Sequence, residues 1–308
     1  MKTAQIKIFG GIEVIEIVDI EKPKPQKGQV LVKIYATSIN PIDYKIRQGL
    51  LPGIQLPITL GSDVAGVVTQ VGEGVESVSV GNKVYGQAIV LGGGSGAFAE
   101  FAVVMADTIA KMPEGVDFNQ AASMVLAGCS AVQALLEHIK LKKGQKILIH
   151  GGAGGIGSIA IQIAKSIGAH VATTATGNGI DFVKKLGADE VIDYQKEHFE
   201  EKLSGYDTVF DTVGGETYRK SFGVLKTGGM IVSMVAKDEV KMGQYGVVAI
   251  SQWTKVNAEN LTVLTSLIES KKVKPQVDKI YTLDRIKEAF EAKEKGEVLG
   301  KIVIQIAN

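Results

Sequence analysis

The sequence predicts an α/β protein of two domains, one β-rich and one built on a doubly wound parallel sheet. Three observations carry this. The chain has 308 residues, and a typical domain has about 100–200. Its first third is a series of short β-branched runs punctuated by proline and glycine. After Pro113, strand and helix patterns alternate, which calls for a parallel sheet with helices on both faces.

In the first third, residues 14–18, 29–36, 65–71 and 83–87 read as strands separated by turn residues such as Pro23, Pro25, Gly28, Pro57 and Gly72-Glu73-Gly74. Short strands at this spacing predict a small barrel or sandwich. Residues 118–138 then read as a helix and 146–150 as an apolar strand. In residues 158–167 the apolar positions Ile159, Ala160, Ile163, Ala164 and Ile167 recur at helical spacing, closed by Gly168. A strand at 170–175, a helix at 181–186 stopped by Gly187, and strands at 190–192, 208–212 and 230–235 continue the alternation. Asn257 reads as the cap of a helix at 259–269. Asp284 reads as the cap of a helix at 286–295 stopped by Gly296, and residues 301–306 as a closing strand. That last strand is expected to return to the first domain. The resulting partition is 1–118 with 276–308, and 119–275.

Composition narrows the function classes. Lys and Arg number 34 and Asp and Glu 33, a net charge of +1. Such a chain has no positive field for nucleic acid or an anionic membrane. Hydrophobic residues at 45% and charged residues at 22% fit a folded chain. A single cysteine excludes an internal disulfide framework and any multi-cysteine zinc site. Residues 88–106 and 147–164 are nearly uncharged, but clustered glycines interrupt both, so buried strands and turns are expected rather than membrane spans. The first 21 residues lack the apolar core and cleavage site of a secretory signal. A cytoplasmic protein is expected.

The feature that carries chemistry is His150-Gly151-Gly152-Ala153-Gly154-Gly155-Ile156-Gly157-Ser158. Gly152, Gly154 and Gly157 satisfy G-x-G-x-x-G, with an apolar strand before and an amphipathic helix after. Small residues let the backbone approach a pyrophosphate. The helix N-terminus offers free N–H groups and a positive dipole end to that anion. At the end of the second strand, where an NAD site carries an acid, the chain reads Thr173-Thr174-Ala175-Thr176-Gly177-Asn178. Thr174, Thr176 and Asn178 are candidates to hydrogen-bond a 2′-phosphate. A carboxylate there would repel a 2′-phosphate, so its absence favours NADP over NAD, while the lack of a Lys or Arg at that turn weakens the preference. There is no phosphate-loop lysine, no G-x-S-x-G elbow, no Tyr-x-x-x-Lys pair and no paired histidine spacing.

The layout resembles the medium-chain dehydrogenase/reductase superfamily. The residues that carry the resemblance are Ala36-Thr37-Ser38-Ile39-Asn40-Pro41-Ile42-Asp43-Tyr44-Lys45, Leu60-Gly61-Ser62-Asp63-Val64-Ala65-Gly66, Val71-Gly72-Glu73-Gly74-Val75, Gly187-Ala188-Asp189-Glu190-Val191-Ile192-Asp193-Tyr194 and Gly300-Lys301-Ile302-Val303-Ile304. The zinc alcohol dehydrogenases of that superfamily place cysteine and histidine where this chain has Asn40 and Ser62, so the resemblance is to the zinc-free quinone oxidoreductase and enone reductase branch. It implies a GroES-like substrate domain, a Rossmann nucleotide domain, NADPH, no zinc, and a homodimer. It also assigns Gly154, Gly155, Ile156 and Gly157 to the nucleotide loop. Tyr194 goes to the 2′-phosphate, Lys45 and Lys301 to cofactor contacts, and Ser130 to the nicotinamide phosphate. The expected reaction is hydride transfer to a quinone or an α,β-unsaturated carbonyl. Asn40 and Tyr44 are then the hydrogen-bond donors to the developing oxyanion, and Asp43 reads as a helix cap. A non-catalytic crystallin-like NADPH binder, and an enoyl reductase with Lys241 and Lys255 meeting a thioester carrier, remain as alternatives. The dimer is expected through residues 245–250.

Overall fold

The structure, a computed structural model, describes residues 1–236, 246–296 and 298–307. In chain order its elements begin with β1 (Lys2–Ile6), β2 (Glu16–Asp19), β3 (Gln29–Ser38), α1 (Pro41–Arg47), β4 (Ile58–Thr59), β5 (Asp63–Val71), β6 (Lys83–Gln87), β7 (Phe101–Met105) and β8 (Ile109–Lys111). Next come α2 (Phe118–Val132), β9 (Lys146–Ile149), α3 (Gly155–Ile167), β10 (His170–Ala175), α4 (Asn178–Lys185), β11 (Glu190–Asp193) and α5 (Phe199–Lys202). The chain continues through β12 (Tyr206–Asp211), α6 (Gly215–Ser221), β13 (Leu225–Ser233), β14 (Val248–Ser251), α7 (Ala258–Glu269), β15 (Val277–Thr282), α8 (Ile286–Glu294) and β16 (Lys301–Gln305). No helix among the described residues is long and apolar enough to cross a membrane.

The chain divides into two compact units. The first comprises Met1–Leu126, Val256–Glu269 and Pro275–Asn308; the second comprises Ala127–Lys255 and Ser270–Lys274. Residues 119–126, 256–269 and 275, which the sequence reading placed in the second domain, fall in the first of these units. There the Tyr85 hydroxyl donates to Leu261 C=O in α7 at 2.6 Å, and the Leu126 N–H donates to Asp63.

The first unit has a three-stranded sheet, β2-β1-β4, and a larger one ordered β15-β16-β3-β5-β6-β8, with β7 also on β3. The last strand does return: β16 runs antiparallel to β3, with Val303 opposite Ser38. β3 is apolar on both faces because Val30, Val32 and Ile34 face one core while Leu31 is buried on the other side. A second core gathers Ile6, Ile39, Leu60, Phe98 and Phe290, with Phe98 and Phe290 edge to face.

The second unit is a six-stranded parallel sheet in the order β11-β10-β9-β12-β13-β14. The reversal of order at β9 makes its C-terminal end the place where such sheets bind ligands. Ile147, Leu148 and Ile149 are wholly buried, as a central parallel strand requires. α3 buries Ile159, Ala160, Ile163 and Ala164 and ends on Gly168 at φ +88°, whose N–H caps Ala164 C=O.

Several local readings change. Val14 lies in a 3₁₀ turn before β2 rather than in a strand, and residues 133–138 form a π turn closing α2. The helix expected at 181–186 starts at Asn178, entered through Gly177 at φ +52°. Asp284 sits in a 3₁₀ turn ahead of α8, and no side chain caps α8. Asn257 does cap α7, its Oδ1 accepting the Asn260 N–H at 2.8 Å. Lys241 and Tyr245 lie outside the described residues.

Candidate functional site

In the second unit the glycine loop joins β9 to α3. Gly157 packs against the loop itself: a Cβ there would lie 2.3 Å from Gly151 C=O, a contact only glycine avoids. Gly154 is looser, with 3.3 Å to the same oxygen. The first intrahelical bond is Ser158 N–H to Gly154 C=O. Gly155, Ile156 and Gly157 therefore present N–H groups with no partner inside the helix, the arrangement that binds a pyrophosphate.

The ribose end of this site differs from the expectation. Thr174 is buried, and its hydroxyl accepts the Gly151 N–H at 3.1 Å and meets His150 Nδ1 at 3.3 Å. Its hydroxyl is thus engaged with the first residues of the glycine loop. Thr176 and Asn178 stay at the end of β10, half-buried and exposed respectively. The parallel register sets Ala175 beside Asp193 at the end of β11, which brings a carboxylate to Thr176. The Thr176 hydroxyl, followed by the Gln195 N–H and the Lys196 ammonium, holds the Asp193 carboxyl below the usual range, against burial. Lys196 Nζ stands 3.3 Å from Asp193, and the neighbouring Tyr194 is 59% exposed. A basic group thus does stand at this rim, carried by the turn that follows β11. Ser130 is buried, its hydroxyl 2.8 Å from that of Thr254.

The first unit carries a buried polar cluster at the start of α1. Lys301 Nζ donates to Asn40 Oδ1 at 2.5 Å and to Ile39 C=O at 2.9 Å, and lies 3.6 Å from Asp63 Oδ2. Asn40 Nδ2 donates to Asp63 Oδ2 at 2.6 Å and to Ser62 Oγ at 3.1 Å. Asp63 also accepts the Ser38 hydroxyl at 2.6 Å and the Leu126 N–H at 3.2 Å. Both ends of the Asn40 carboxamide are therefore engaged inside the protein, and its expected donation to a substrate oxygen has no free N–H to use. Lys301 likewise points into this cluster. Asp43 is not the residue before α1 but its third; its Oδ2 accepts the Asn40 N–H at 2.7 Å, and its Oδ1 has no hydrogen-bond partner. Burial, with the Asp63 charge added, pushes the Asp43 carboxyl up to about 8. Burial pushes the Lys301 ammonium down, opposed by Asp63 and Asp43. Tyr44 is half-buried on α1, and burial, then Glu294, raises its phenol above the ordinary value. Lys45, next along α1, is half-buried.

Residues 26–114 match the family described as alcohol dehydrogenase GroES-like domain, and residues 186–304 match the one described as zinc-binding dehydrogenase. A tomato (Solanum lycopersicum) 2-methylene-furan-3-one reductase is 36% identical over 99% of this chain and 79% of its own. The chain belongs to the medium-chain dehydrogenase/reductase superfamily. Its relatives there are quinone oxidoreductases and enone reductases. An NADPH-dependent alkenal/one oxidoreductase of Arabidopsis thaliana, described as chloroplastic, is also 36% identical over 99% of this chain and 79% of that protein. Among solved structures, the Escherichia coli quinone oxidoreductase complexed with NADPH has a TM-score of 0.90 at 29% identity, covering 99% of this chain and all of that one. The superfamily's two-part architecture, GroES-like and Rossmann-like, is the one described above.

Proposed function

We propose that the chain is an NADPH-dependent, zinc-independent reductase that delivers hydride to a quinone or to the β-carbon of an α,β-unsaturated carbonyl. The observation that carries this reading is the strand–glycine loop–helix at the switch point of the parallel sheet, with three N–H groups at the start of α3 that have no partner inside the helix. The names of the relatives supply the substrate classes. Gly155, Ile156 and Gly157 hold the pyrophosphate; Thr176, Asn178, Tyr194 and Lys196 meet the 2′-phosphate. The bound dinucleotide supplies the hydride. Tyr44 keeps its proton at neutral pH and donates it toward the substrate oxygen, stabilising the developing negative charge. Asn40 supports α1 from inside, while Lys45 and Ser130 remain candidate cofactor contacts.

The chemistry of the donor set supports zinc independence. Asn40 and Ser62 stand where zinc dehydrogenases have cysteine and histidine, and a carboxamide is a poor metal ligand whose oxygen here already accepts an ammonium. A cation is built into the position. A cytoplasmic homodimer completes the proposal. β14, the last strand of its sheet among the described residues, with Val248 44% exposed and Trp253 just beyond it 67% exposed, is its pairing surface.

The test is NADPH oxidation with 1,4-benzoquinone, 1-hexen-3-one and crotonyl-CoA run in parallel. Turnover of the quinone or the enone is expected. Turnover of the thioester alone would make the chain an enoyl reductase, and NADPH binding without any turnover would make it a crystallin-like binder. Light scattering reads the oligomer.

A further inference from the structure

His150 takes no part in the reaction proposed above, yet it is wholly buried at the start of the glycine loop. Its ring stands edge-on to Phe199, centroids 4.6 Å apart. Nε2 lies 2.9 Å from Ser221 Oγ and Nδ1 lies 3.3 Å from Thr174 Oγ1. The direction of this chain of bonds is fixed from its far end. Ser221 donates its one proton to Thr217 C=O at 2.6 Å, so its oxygen accepts, and Nε2 carries the ring proton. Nδ1 is then bare and accepts the Thr174 hydroxyl. The Thr174 oxygen in turn accepts the Gly151 N–H at 3.1 Å. The carbonyl of the same peptide, His150 C=O, accepts the Thr212 hydroxyl at 2.8 Å. The peptide that opens the loop is thus tied at both its N–H and its C=O by threonine hydroxyls. One of these is oriented by a neutral imidazole; burial pushes that ring down to about 4 despite the charges of Asp211 and Glu200.

We propose that His150 is a positioning residue for dinucleotide binding: through Thr174 it fixes the first peptide of the glycine loop, so that the α3 amides stand ready for the pyrophosphate. The inference rests on the NADPH reading and adds to it a residue that touches no ligand.

Asparagine places an oxygen where the histidine has Nδ1, and glutamine places its amide nitrogen where the histidine has Nε2. His150→Asn therefore keeps the acceptor for Thr174 and loses Ser221; His150→Gln does the reverse. Both remove the ring from Phe199, and a purely packing role predicts a loss for the smaller asparagine at least as large as for glutamine. NADPH affinity is measured by fluorescence titration or calorimetry, and KM and kcat with the best substrate. His150→Gln and Thr174→Val are expected to weaken NADPH binding about tenfold through KM with little change in kcat. His150→Asn and Thr174→Ser are expected to stay within about threefold of the parent affinity. A loss for Asn at least as large as for Gln, or a Thr174→Val affinity within twofold of the parent, overturns the inference. The threonine pair, a small change in a buried strand, keeps the test valid if the histidine variants fold poorly. A parent chain that binds neither NADPH nor NADH overturns the reductase reading itself, and shows this before any variant is compared.

Discussion

Lys301→Met tests the built-in cation. The substitution removes the ammonium and keeps most of the stem. Asn40 Oδ1 and Ile39 C=O, which accept from Lys301 at 2.5 and 2.9 Å, lose their donor inside the protein. Asp63 loses the neighbouring positive charge at 3.6 Å. Removing one partner of a buried ion pair costs about 3–5 kcal/mol. Asp63 keeps the Ser38 hydroxyl, the Asn40 amide and the Leu126 N–H, so its carboxylate is not left bare. The loss belongs at the lower end, about 3 kcal/mol. In urea followed by far-ultraviolet circular dichroism, that is a fall in midpoint of about 1 M or more. The double variant Lys301→Met/Asp63→Asn removes the uncompensated charge and is expected to recover about 1 kcal/mol or more. A single-variant loss below about 1 kcal/mol, or a double variant no better than the single, would refute the assignment of Lys301 as the cluster's cation.

The remaining predictions concern the loop, the ribose end, the proton donor and acid stability. Gly157→Ala drives a Cβ to 2.3 Å from Gly151 C=O and is expected to abolish NADPH binding; Gly154→Ala, at 3.3 Å, is expected to retain it, and calorimetry distinguishes the two. Lys196→Gln is expected to weaken NADPH about tenfold while leaving NADH unchanged, with a shallower salt dependence for NADPH. Equal loss for both cofactors would place Lys196 away from the 2′-phosphate. Tyr44→Phe is expected to lower kcat by about 10²-fold or more, with NADPH affinity intact. Because the folded-state value of His150 is about 4 against 6.5 unfolded, the unfolded chain binds the extra proton between those values. The contribution, up to about 3 kcal/mol, is complete above pH 6.5 and is lost as pH falls toward 4. His150→Asn should flatten that slope in urea titrations run at successive pH values.

How much of this was legible in the sequence depends on how local each feature is. Strand, glycines and helix are adjacent between residues 146 and 167, so the loop could be read directly. The end of β10 shows where adjacency misleads. Thr173 and Thr174 face opposite sides of the sheet. The first donates to Ile149 C=O and the second meets His150, so both hydroxyls are engaged inside the protein. The basic group sought beside Asn178 comes instead from the turn that follows β11, through a register no sequence pattern states. Asn40 shows the same limit over a longer span. Its type and position were readable, but its saturation depends on Lys301, which only the pairing of β16 with β3 brings near.

That pairing also bears on how the protein is made. On one edge of β3, the last three residues, Ala36–Ser38, receive their partner only when β16 has been synthesised. At translation rates of about 5–20 residues per second the wait is roughly ten to fifty seconds. The residues of the second unit's sheet, by contrast, emerge in one continuous stretch and can pair as they appear. During that interval the nascent first unit carries an open strand edge and an unfilled place beside Asn40 and Asp63. Chaperone demand and sensitivity to premature truncation should therefore be concentrated in this unit, although it is the first to leave the ribosome.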